Sequence, residues 1–451
     1  MSIPRTSFTI AGAGLAGALL AVLLARQGHR VRLLERRDDL RRRPVEAGRS
    51  INLALAVRGM RALDRAGVLR EVLDDAVPMR GRMVHDRDGR TDLLPYAVDG
   101  QQSIHSVHRG RLNQRLLDAA QAHGAEIRFE QRVVGVDLAA RRLLIEHADG
   151  LHQGEDFEVL IGADGAGSAV REALDRHYGQ SSTFEPLAHS YKELSIDPGA
   201  HGNFRMEANA LHIWPRSTHM MIALPNPDAS FTATLFLPNT GPHSFAALAD
   251  PVTVVEMFER DFADAIPLIP DYREQFEFNP TGWLGTLDCP HWHLDHRALV
   301  IGDAAHALVP FHGQGMNCAF EDCVALADLL AGGSALDAVF ADFVRERRPN
   351  ARAIADMAVE NYREMRDDVA HPAFRLRKAL ERELSLRFPE RFIPRYTQVT
   401  FMHLPYAEAQ QRGRAQATVL DALLDGVTAL TQVDWGKAQA LVSELPPFAG
   451  S

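Results

Sequence analysis

Cysteine is scarce in this sequence: the chain of 451 residues contains only Cys289, Cys318 and Cys323. Three thiols in so long a chain cannot form a disulfide framework, so we expect a protein of a reducing compartment, with the cytoplasm as the default location. Basic residues are not in excess either, because 49 Lys and Arg stand against 59 Asp and Glu and the net charge is -10. This balance predicts no nucleic-acid partner and no attraction to an anionic membrane surface.

Long apolar runs are also few. Residues 8–25 form one such run behind Arg5 and imitate a signal peptide, but the run contains Gly12, Gly14 and Gly17 and is followed by RQGHR instead of a small-residue cleavage site. No later stretch approaches the roughly 18 uncharged apolar residues of a membrane-spanning helix, so we expect no membrane partner. With 46% apolar and 24% charged residues, the composition is that of a globular protein, and the length predicts two or three domains.

The N-terminal part of the sequence has the order strand, glycine-rich turn, helix, strand and acid that is typical of a dinucleotide-binding βαβ unit. The turn reads GAGLAG. Gly12 should make the tight turn, Gly14 should let the backbone approach a pyrophosphate, and Gly17 should let the helix pack closely on the strand. Periodicity predicts the two strands and the helix at 7–11, 31–34 and 18–26.

Three residues at the edges of this unit narrow the choice of nucleotide. The helix start, which includes Ala16, offers free N–H groups and the positive end of a dipole to the phosphates. Glu35 follows the second strand, where its carboxylate would accept hydrogen bonds from ribose hydroxyls and repel a 2′-phosphate. Arg36, beside it, is a candidate contact for the adenosine. The site is therefore predicted to hold FAD or NAD and not NADP. Because the sequence has one such fingerprint, a nicotinamide cofactor used in addition to FAD would have to visit transiently and leave.

Two later stretches repeat the pattern of a buried strand that ends at an acidic turn: LIGADGAGSAVR, with Asp164, and ALVIGDAAHALVPFHGQGMN, with Asp303. In this order and at this spacing, the three stretches resemble the fingerprints of the flavoprotein aromatic hydroxylases, the single-component FAD monooxygenases. The resemblance covers most of the chain and implies that Asp303 binds the ribityl chain of FAD. It also implies a helix that opens at GQGMN and aims its N-terminus at the flavin pyrimidine edge, where the dipole would stabilise the negative charge of a reduced flavin.

Further stretches resemble, more narrowly, the kynurenine 3-monooxygenase family. They are GRSINLALAVRG at 48–59, MRGRMVH at 79–85, VPFHGQGMNCAFED at 309–322, ENYREM at 360–365 and RFIPRYTQVTF at 391–401. The resemblance implies a step of tryptophan degradation in which NADPH and O2 serve to hydroxylate L-kynurenine to 3-hydroxykynurenine on bound FAD. Members from higher organisms carry a hydrophobic C-terminal anchor that this sequence lacks, so it looks like a soluble bacterial-type form.

The same resemblance implies roles for single residues. Arg82 and Tyr96 would bind the substrate carboxylate, and Asn361 and Tyr396 would complete the amino-acid end of the pocket. The residues that would line FAD are Ala54, Arg109, Val134, Met316 and Asn317. Two alternatives remain open: hydroxylation of another aromatic acid on the same scaffold, and a flavin redox sensor without turnover.

Residues 210–215, 219–224 and 231–237 are rich in β-formers and predict an antiparallel meander. Alternation along the last two strands gives each of them a face that is a candidate wall for an apolar ring, although ordinary sheet core is an equal alternative for any one residue. These two faces consist of Met220, Ile222 and Leu224, and of Thr232, Thr234 and Phe236.

Few residues suggest acid–base or metal chemistry. His312, in PFHGQG, is a candidate proton shuttle, although a packing or hydrogen-bonding role is the preferred interpretation. The segment CPHWHLDH at 289–296 resembles a metal cluster, but its histidines have no second pair of ligands, so we expect no metal site.

The pattern as a whole predicts an α/β fold. A Rossmann-like FAD-binding domain is expected from residues 1–75, 103–180 and 285–345, with an inserted antiparallel β-sheet substrate domain from 76–102 and 181–284. Residues 346–451 are expected to form a helical region that caps the pocket. A long amphipathic helix at about 334–369 should place Ile354, Met357, Ala358 and Asn361 on one face. An Asn on this apolar face indicates either a polar ligand group nearby or a buried hydrogen bond to the backbone.

Overall fold

The computed structural model of the chain describes residues 5–42, 52–96, 102–365 and 372–448. The first four residues of the stretch GRSINLALAVRG and the end of the helix expected at 334–369 lie outside these ranges. The strands are β1 (Ser7–Ala11), β2 (Arg30–Leu34), β3 (Asn52–Leu55), β4 (Val77–Met79), β5 (Gly81–His85), β6 (Thr91–Pro95), β7 (Ile104–His108), β8 (Glu126–Arg128), β9 (Gln131–Asp137), β10 (Arg142–His147), β11 (His152–Asp156), β12 (Val159–Gly162), β13 (Thr183–Ile196), β14 (Ala210–Pro215), β15 (Met220–Pro225), β16 (Phe231–Pro238), β17 (Thr281–Asp288), β18 (His293–Leu294) and β19 (Ala298–Val300).

The helices surround these strands and dominate the C-terminal part. They are α1 (Leu15–Arg26), α2 (Val57–Ala66), α3 (Leu69–Asp74), α4 (Arg109–Ala122), α5 (Ala169–Tyr178), α6 (Pro251–Asp261), α7 (Tyr272–Phe278), α8 (Asp303–His306), α9 (Gly315–Ala331), α10 (Leu336–Arg363), α11 (Pro372–Arg387), α12 (Arg395–Phe401), α13 (Tyr406–Leu424) and α14 (Trp435–Ser443). None of the described helices has the length and apolarity that a bilayer crossing would need.

A six-stranded sheet with the order β18-β19-β12-β1-β2-β8 forms the nucleotide-binding part. β1 runs parallel to both β2 and β12, and β12 runs parallel to β19, so their carboxyl ends meet at one edge. The turns that follow β1, β12 and β19 carry the three glycine-and-acid motifs, which the sheet therefore brings together. The predicted βαβ unit is confirmed, although α1 begins at Leu15 rather than at residue 18, because the turn residues 15–17 already have helical geometry.

A seven-stranded sheet with the order β17-β13-β16-β15-β14-β5-β6 forms the second layer. The three strands expected at 210–237 are confirmed as β14, β15 and β16, joined antiparallel. The sequence predicts an antiparallel sheet, but one pair of strands differs. β5 pairs in parallel with β14, with Arg82 opposite Leu211. A parallel pair needs a long crossover connection, and the chain between β6 and β14 supplies it.

The two faces of this sheet have different environments. Met221, Ala223, Phe231, Ala233 and Leu235 point to one side, where they pack with α6 and α7 in a closed apolar core. The alternating residues of the same strands point to the opposite side. One face of the seven-stranded sheet therefore packs in an apolar core, and the other face borders the space between the two sheets.

The helical C-terminal region packs on both layers through α10. As predicted, Ile354, Met357, Ala358 and Asn361 are all buried along one side of this helix. Further along the chain, α11, α13 and α14 form a small core of their own. Cys318 and Cys323 lie on α9, and burial raises the pKa of both thiols well above the usual range, so they are packing residues.

Candidate active site

A cavity of about 760 Å³ lies between the two sheets. It is bordered on one side by the turns after β1, β12 and β19 and on the other by the inner face of the seven-stranded sheet. The predicted site residues that line it are Gly12, Gly14, Ala16, Glu35, Arg36, Ala54, Arg82, Arg109, Val134, Asp164, Met220, Ile222, Thr234, Phe236, Asp303, His312, Met316 and Tyr396. Four predicted residues do not line it: Gly17, Tyr96, Asn317 and Asn361.

The three glycines of GAGLAG have different surroundings. Gly12 has a φ of +95°, and a Cβ atom there would lie 2.4 Å from the carbonyl oxygen of Ala163. A Cβ at Gly17 would lie 2.0 Å from the carbonyl oxygen of Gly12, which explains why this residue packs the helix and does not line the cavity. A Cβ at Gly14, in contrast, would meet no protein atom within 4 Å. The cavity beside Gly14 is therefore open to a ligand that needs close access to the backbone.

Glu35 is held at the end of β2 by two backbone N–H groups. Its Oε2 accepts from the N–H of Ala13 at 3.0 Å and its Oε1 from that of Arg37 at 3.1 Å. Each oxygen retains a lone pair for a ligand. Arg36 lines the cavity beside it, whereas Arg41 forms a partly buried ion pair with Asp39.

The acids of the second and third motifs differ in burial. Asp164 accepts from the N–H of Ala169 at the start of α5 at 2.8 Å, and its other oxygen is buried with no hydrogen-bond partner among the described residues. Burial raises the pKa of this carboxyl. Asp303 is exposed at the first residue of α8 and faces the cavity.

The side chain of Asn317 hydrogen-bonds to backbone groups of the protein, and the contact of this residue with FAD stays a prediction. Its Nδ2 donates to the carbonyls of Ala54 and Gly313, both at 2.9 Å, and its Oδ1 accepts from the N–H of Ala56 at 3.0 Å. All of the hydrogen bonds of this fully buried amide are within the protein. Asn317 therefore holds the end of β3 and the loop at Gly313 against α9, while its neighbour Met316 lines the cavity.

The inner face of the seven-stranded sheet supplies an apolar wall. The cross-strand pairs Met220–Phe236, Ile222–Thr234 and Leu224–Thr232 all line the cavity, in the alternation that the sequence predicts. Other residues of the wall are not predicted from the sequence, because its pattern does not identify β13 and β17, assigns no inward face to β14 and cannot place a loop or a helix end against the sheet. These residues are Tyr191, Glu193, Leu211, Leu284, Phe311 and Met365.

Arg82 lies at one end of this wall over a stack of aromatic rings. Its Cζ is 4.4 Å from the ring centre of Tyr396, and its Nε is buried with no hydrogen-bond partner in the described part of the chain. Tyr396 stacks on Tyr96 at 5.5 Å and on His312 at 5.3 Å. A guanidinium with an unpaired N–H group in an aromatic setting is suited to binding a ligand anion.

Tyr96 and Asn361 lie behind the wall rather than in it. The hydroxyl of Tyr96 is buried without a partner among the described residues, and burial raises the pKa of this phenol well above its usual range, so it stays protonated. Asn361 donates through Nδ2 to the carbonyl of Phe311 at 2.6 Å. This is the buried hydrogen bond to backbone that the sequence leaves open as an alternative, and through it the side chain holds Phe311, which lines the cavity. A contact of Asn361 with the ligand stays a prediction.

His312 is a neutral imidazole at ordinary pH. Burial, together with the charges of Arg395 and Arg82, lowers the pKa of His312 to about 3. Its Nδ1 has no hydrogen-bond partner within the described ranges. The residue can therefore stack and hydrogen-bond, but it does not store a proton as imidazolium.

A group that resembles a metal site lies behind the third motif, formed by His306, Cys318 and Asp322. Arg347 occupies the place of a cation, since its Nε donates to Asp322 at 2.8 Å. The second oxygen of Asp322 accepts from the Nε2 of His306 at 2.6 Å. Although burial alone would raise it, the pKa of Asp322 is lowered to about 2 by His306 and Arg347, so this cluster is an ion-pair network.

Comparison with known proteins identifies the family of this chain. A family model described as an FAD binding domain matches residues 5–245 and 284–358. The kynurenine 3-monooxygenase of Stenotrophomonas maltophilia (strain K279a) is 52% identical over 448 residues, which cover 99% of this chain and 98% of that protein. The kynurenine 3-monooxygenase of Xanthomonas axonopodis pv. citri (strain 306) is 50% identical over 452 residues, covering 100% of this chain and 99% of the relative.

Solved structures share the fold. The tetrameric form of 2-methyl-3-hydroxypyridine-5-carboxylic acid oxygenase matches with a TM-score of 0.66 at 21% identity, over 83% of this chain and 96% of that one. PqsL of P. aeruginosa in complex with 2-aminobenzoylacetate matches with a TM-score of 0.62 at 23% identity, over 80% and 98%. The α/β architecture, the cavity with its dinucleotide motifs and the full-length relatives agree, and the chain belongs to the kynurenine 3-monooxygenase family of FAD-dependent monooxygenases.

Proposed function

We propose that this protein hydroxylates L-kynurenine to 3-hydroxykynurenine with NADPH and O2. The observation that carries the proposal is the continuity of one cavity, which has dinucleotide motifs on one side and an apolar wall ending at Arg82 on the other. Kynurenine has the matching chemistry, with an aromatic amine at one end and an α-amino acid at the other. The relatives named kynurenine 3-monooxygenase, at 50–52% identity over the full length, support the same substrate.

FAD fits the dinucleotide side of the cavity because the open space at Gly14 gives a pyrophosphate access to the backbone. Glu35 and Arg36 would hold the adenosine, Ala16 and the start of α1 the pyrophosphate, and Asp303 the ribityl chain. The further contacts would come from Ala54, Arg109, Val134, Asp164 and Met316. When bound there, FAD would supply the redox chemistry of the reaction, namely hydride acceptance from NADPH and activation of O2 for transfer of one oxygen atom to an aromatic ring.

Arg82 would bind the substrate carboxylate with its planar guanidinium, which can bond both oxygens of a carboxylate. Tyr396 would contact the amino-acid end, while Tyr96 supports Tyr396 from behind and Asn361 supports Phe311. Met220, Ile222, Thr234 and Phe236 would then hold the aniline ring and exclude water. Since the aniline nitrogen donates electrons to the ring, no group of the protein has to remove a proton first, which agrees with a neutral His312.

NADPH would act as a transient co-substrate, because the sequence provides one dinucleotide fingerprint and the proposed FAD site uses it. The three-part domain arrangement follows the same division: FAD on residues 1–75, 103–180 and 285–345, substrate on 76–102 and 181–284, and a helical cap from 346 onward. Three buried thiols with no disulfide among the described residues suit the cytoplasm.

One assay tests the proposal directly. The purified protein, loaded with FAD, is given NADPH in air with and without L-kynurenine, and NADPH consumption, hydrogen peroxide and product mass are measured. We expect kynurenine to accelerate NADPH oxidation and to gain the mass of one oxygen atom. If an aromatic acid other than kynurenine is the one hydroxylated, the alternative substrate is correct. Bound FAD with no turnover on any aromatic acid would instead indicate a redox sensor.

A further inference from the structure

Arg58 lies on α2, just after the strand β3 that borders the cavity, and its side chain is 1% exposed. Its Nη1 donates to the carboxylate of Glu321 on α9 at 2.7 Å. Its Nε donates to the carbonyl of Val399 at 2.8 Å, and its Nη2 donates to the carbonyl of Leu404. One guanidinium therefore joins the helix behind the flavin motif to the segment 399–404, which follows Tyr396 along the chain.

Tyr406 extends this junction to the loop before α9. The Cζ of Arg58 lies 4.0 Å from the ring centre of Tyr406. The Tyr406 hydroxyl donates to the Oε1 of Gln314 at 2.9 Å, and both groups are buried. Gln314 stands between Gly313 and Gly315, which line the cavity on the flavin side. The segment 399–406 thus contacts the loop against which the flavin ring is proposed to lie.

A second chain of hydrogen bonds connects Arg58 to the residue before Asp303. The other oxygen of Glu321 accepts from Arg347 at 3.3 Å, and Arg347 donates to Asp322 at 2.8 Å. Asp322 in turn accepts from the backbone N–H of Gly302 at 3.0 Å, directly before Asp303. Positive and negative side chains therefore alternate along this chain, in the order Arg58, Glu321, Arg347 and Asp322. The last two are almost fully buried.

Burying several charges is an expensive way to gain stability, because their desolvation offsets most of their mutual attraction. What such a network provides is a defined geometry, since each partner accepts only a narrow range of positions. A guanidinium that binds two carbonyls of one segment and a carboxylate of another element fixes the two relative to each other. Loss of order on one side therefore leaves donors of Arg58 unpaired.

We propose that Arg58 is a positioning residue through which FAD binding orders residues 395–406 and so completes the substrate end of the cavity. FAD would immobilise the loop 313–317 and Asp303, and the network then favours the bonded position of Val399, Leu404 and the preceding Tyr396. Because linkage is reciprocal, a ligand at Tyr396 tightens FAD by the same factor by which FAD tightens that ligand. The proposal depends on FAD binding and not on which aromatic acid is the substrate.

Hydrogen–deuterium exchange on the full-length protein, with and without FAD, tests this role. In the wild-type protein we expect FAD to slow amide exchange in residues 395–406 by about tenfold, which is a local stabilisation in the usual range of coupling between sites. Arg58→Lys keeps the charge but lacks the planar fork, so the slowing should fall to about twofold or less. A purely structural role would instead raise exchange equally in the apo and FAD-bound forms.

Arg65→Lys is the matched control. Arg65 lies on the same helix as Arg58 and pairs with Asp328 on the same partner helix, but it is 39% exposed and does not reach residues 399–406. This variant should retain the tenfold slowing. Retention of the full effect in Arg58→Lys, or its absence from the wild-type protein, overturns the proposal.

Tyr406→Phe provides a second measurement if Arg58→Lys does not fold. It keeps the ring beside Arg58 and removes only the bond to Gln314, so the slowing should fall to about threefold, and an unchanged value also counts against the proposal. The dissociation constant of L-kynurenine is measured on the same samples. Failure of kynurenine to bind the wild-type protein, with the exchange pattern as expected, would refute the proposed substrate and leave the role of Arg58 intact.

Discussion

At the scale of single residues, Arg82 is the proposed partner of the substrate carboxylate. Arg82→Met keeps much of the apolar stem and removes the guanidinium, so a bound carboxylate would be desolvated without a cation. A charge-assisted hydrogen bond contributes about 1.5–3 kcal/mol, and we expect the dissociation constant of L-kynurenine to rise roughly ten- to hundredfold. FAD content should be unchanged, because Arg82 lies outside the three nucleotide motifs. A decarboxylated kynurenine analogue should bind both proteins about equally, and equal kynurenine affinities would contradict the assignment.

The glycines of the first motif give a second prediction at the same scale. Gly14→Val should abolish FAD binding while leaving the apo fold intact, because a side chain there enters open cavity space. Gly17→Val should destabilise the apo protein itself, since even its Cβ would lie 2.0 Å from a carbonyl oxygen. Flavin absorbance after gel filtration and the thermal midpoint of the apo protein separate the two effects. A Gly14→Val protein that remains yellow would refute the assignment of the pyrophosphate to this turn.

At the scale of elements, the side chain of Asn317 holds the start of α9 against β3 and the loop at Gly313. Asn317→Ala leaves two carbonyls and one N–H group without their partner. We expect the unfolding free energy of the apo protein to fall by about 2–4 kcal/mol. Asn113→Ala, which removes one bond to the carbonyl of Ala13, should cost about 1 kcal/mol. Denaturant titration measures both, and an apo stability that is unchanged in Asn317→Ala would show that the residue serves the ligand after all.

The same elements show what the sequence can and cannot predict. β15 and β16 are neighbours in the chain, so alternation alone places Met220 and Phe236 on the cavity face. The resemblance implies that Asn317 and Asn361 lie at the ligand, but it does not reveal their hydrogen-bond partners. The amide of Asn317 bonds a backbone group 263 residues away and that of Asn361 one 50 residues away, and no local pattern in the sequence indicates such distant contacts. Tyr191 was missed for a related reason: its strand is interrupted by a register shift after Pro186, which obscures the period of two.

At the scale of the whole molecule, the buried neutral His312 predicts a loss of stability in acid. Its pKa is 6.5 when unperturbed and about 3 in the folded protein. The unfolded chain therefore binds the extra proton first, and stability falls as the pH drops from 6.5 toward 3, by at most about 1.4 kcal/mol per pH unit. Between pH 7.5 and 5.5, His312→Phe should lose about 1 kcal/mol less unfolding free energy than the wild-type protein does. Denaturant titrations at the two pH values measure both losses, and equal losses for His312→Phe and the wild-type protein would show that this imidazole is not held neutral.

The parallel pair of β5 and β14 has a consequence for the order of folding. Arg82 lies opposite Leu211, so more than a hundred residues must be looped out before this pairing can form. The strands β14, β15 and β16 are joined by short turns, and their contacts close small loops with little entropic cost. The apolar wall should therefore assemble early, and the strand that carries its cation should dock late. During synthesis, the nascent chain would therefore expose this apolar face before the strand with Arg82 covers its edge, and at that stage it is most prone to aggregation.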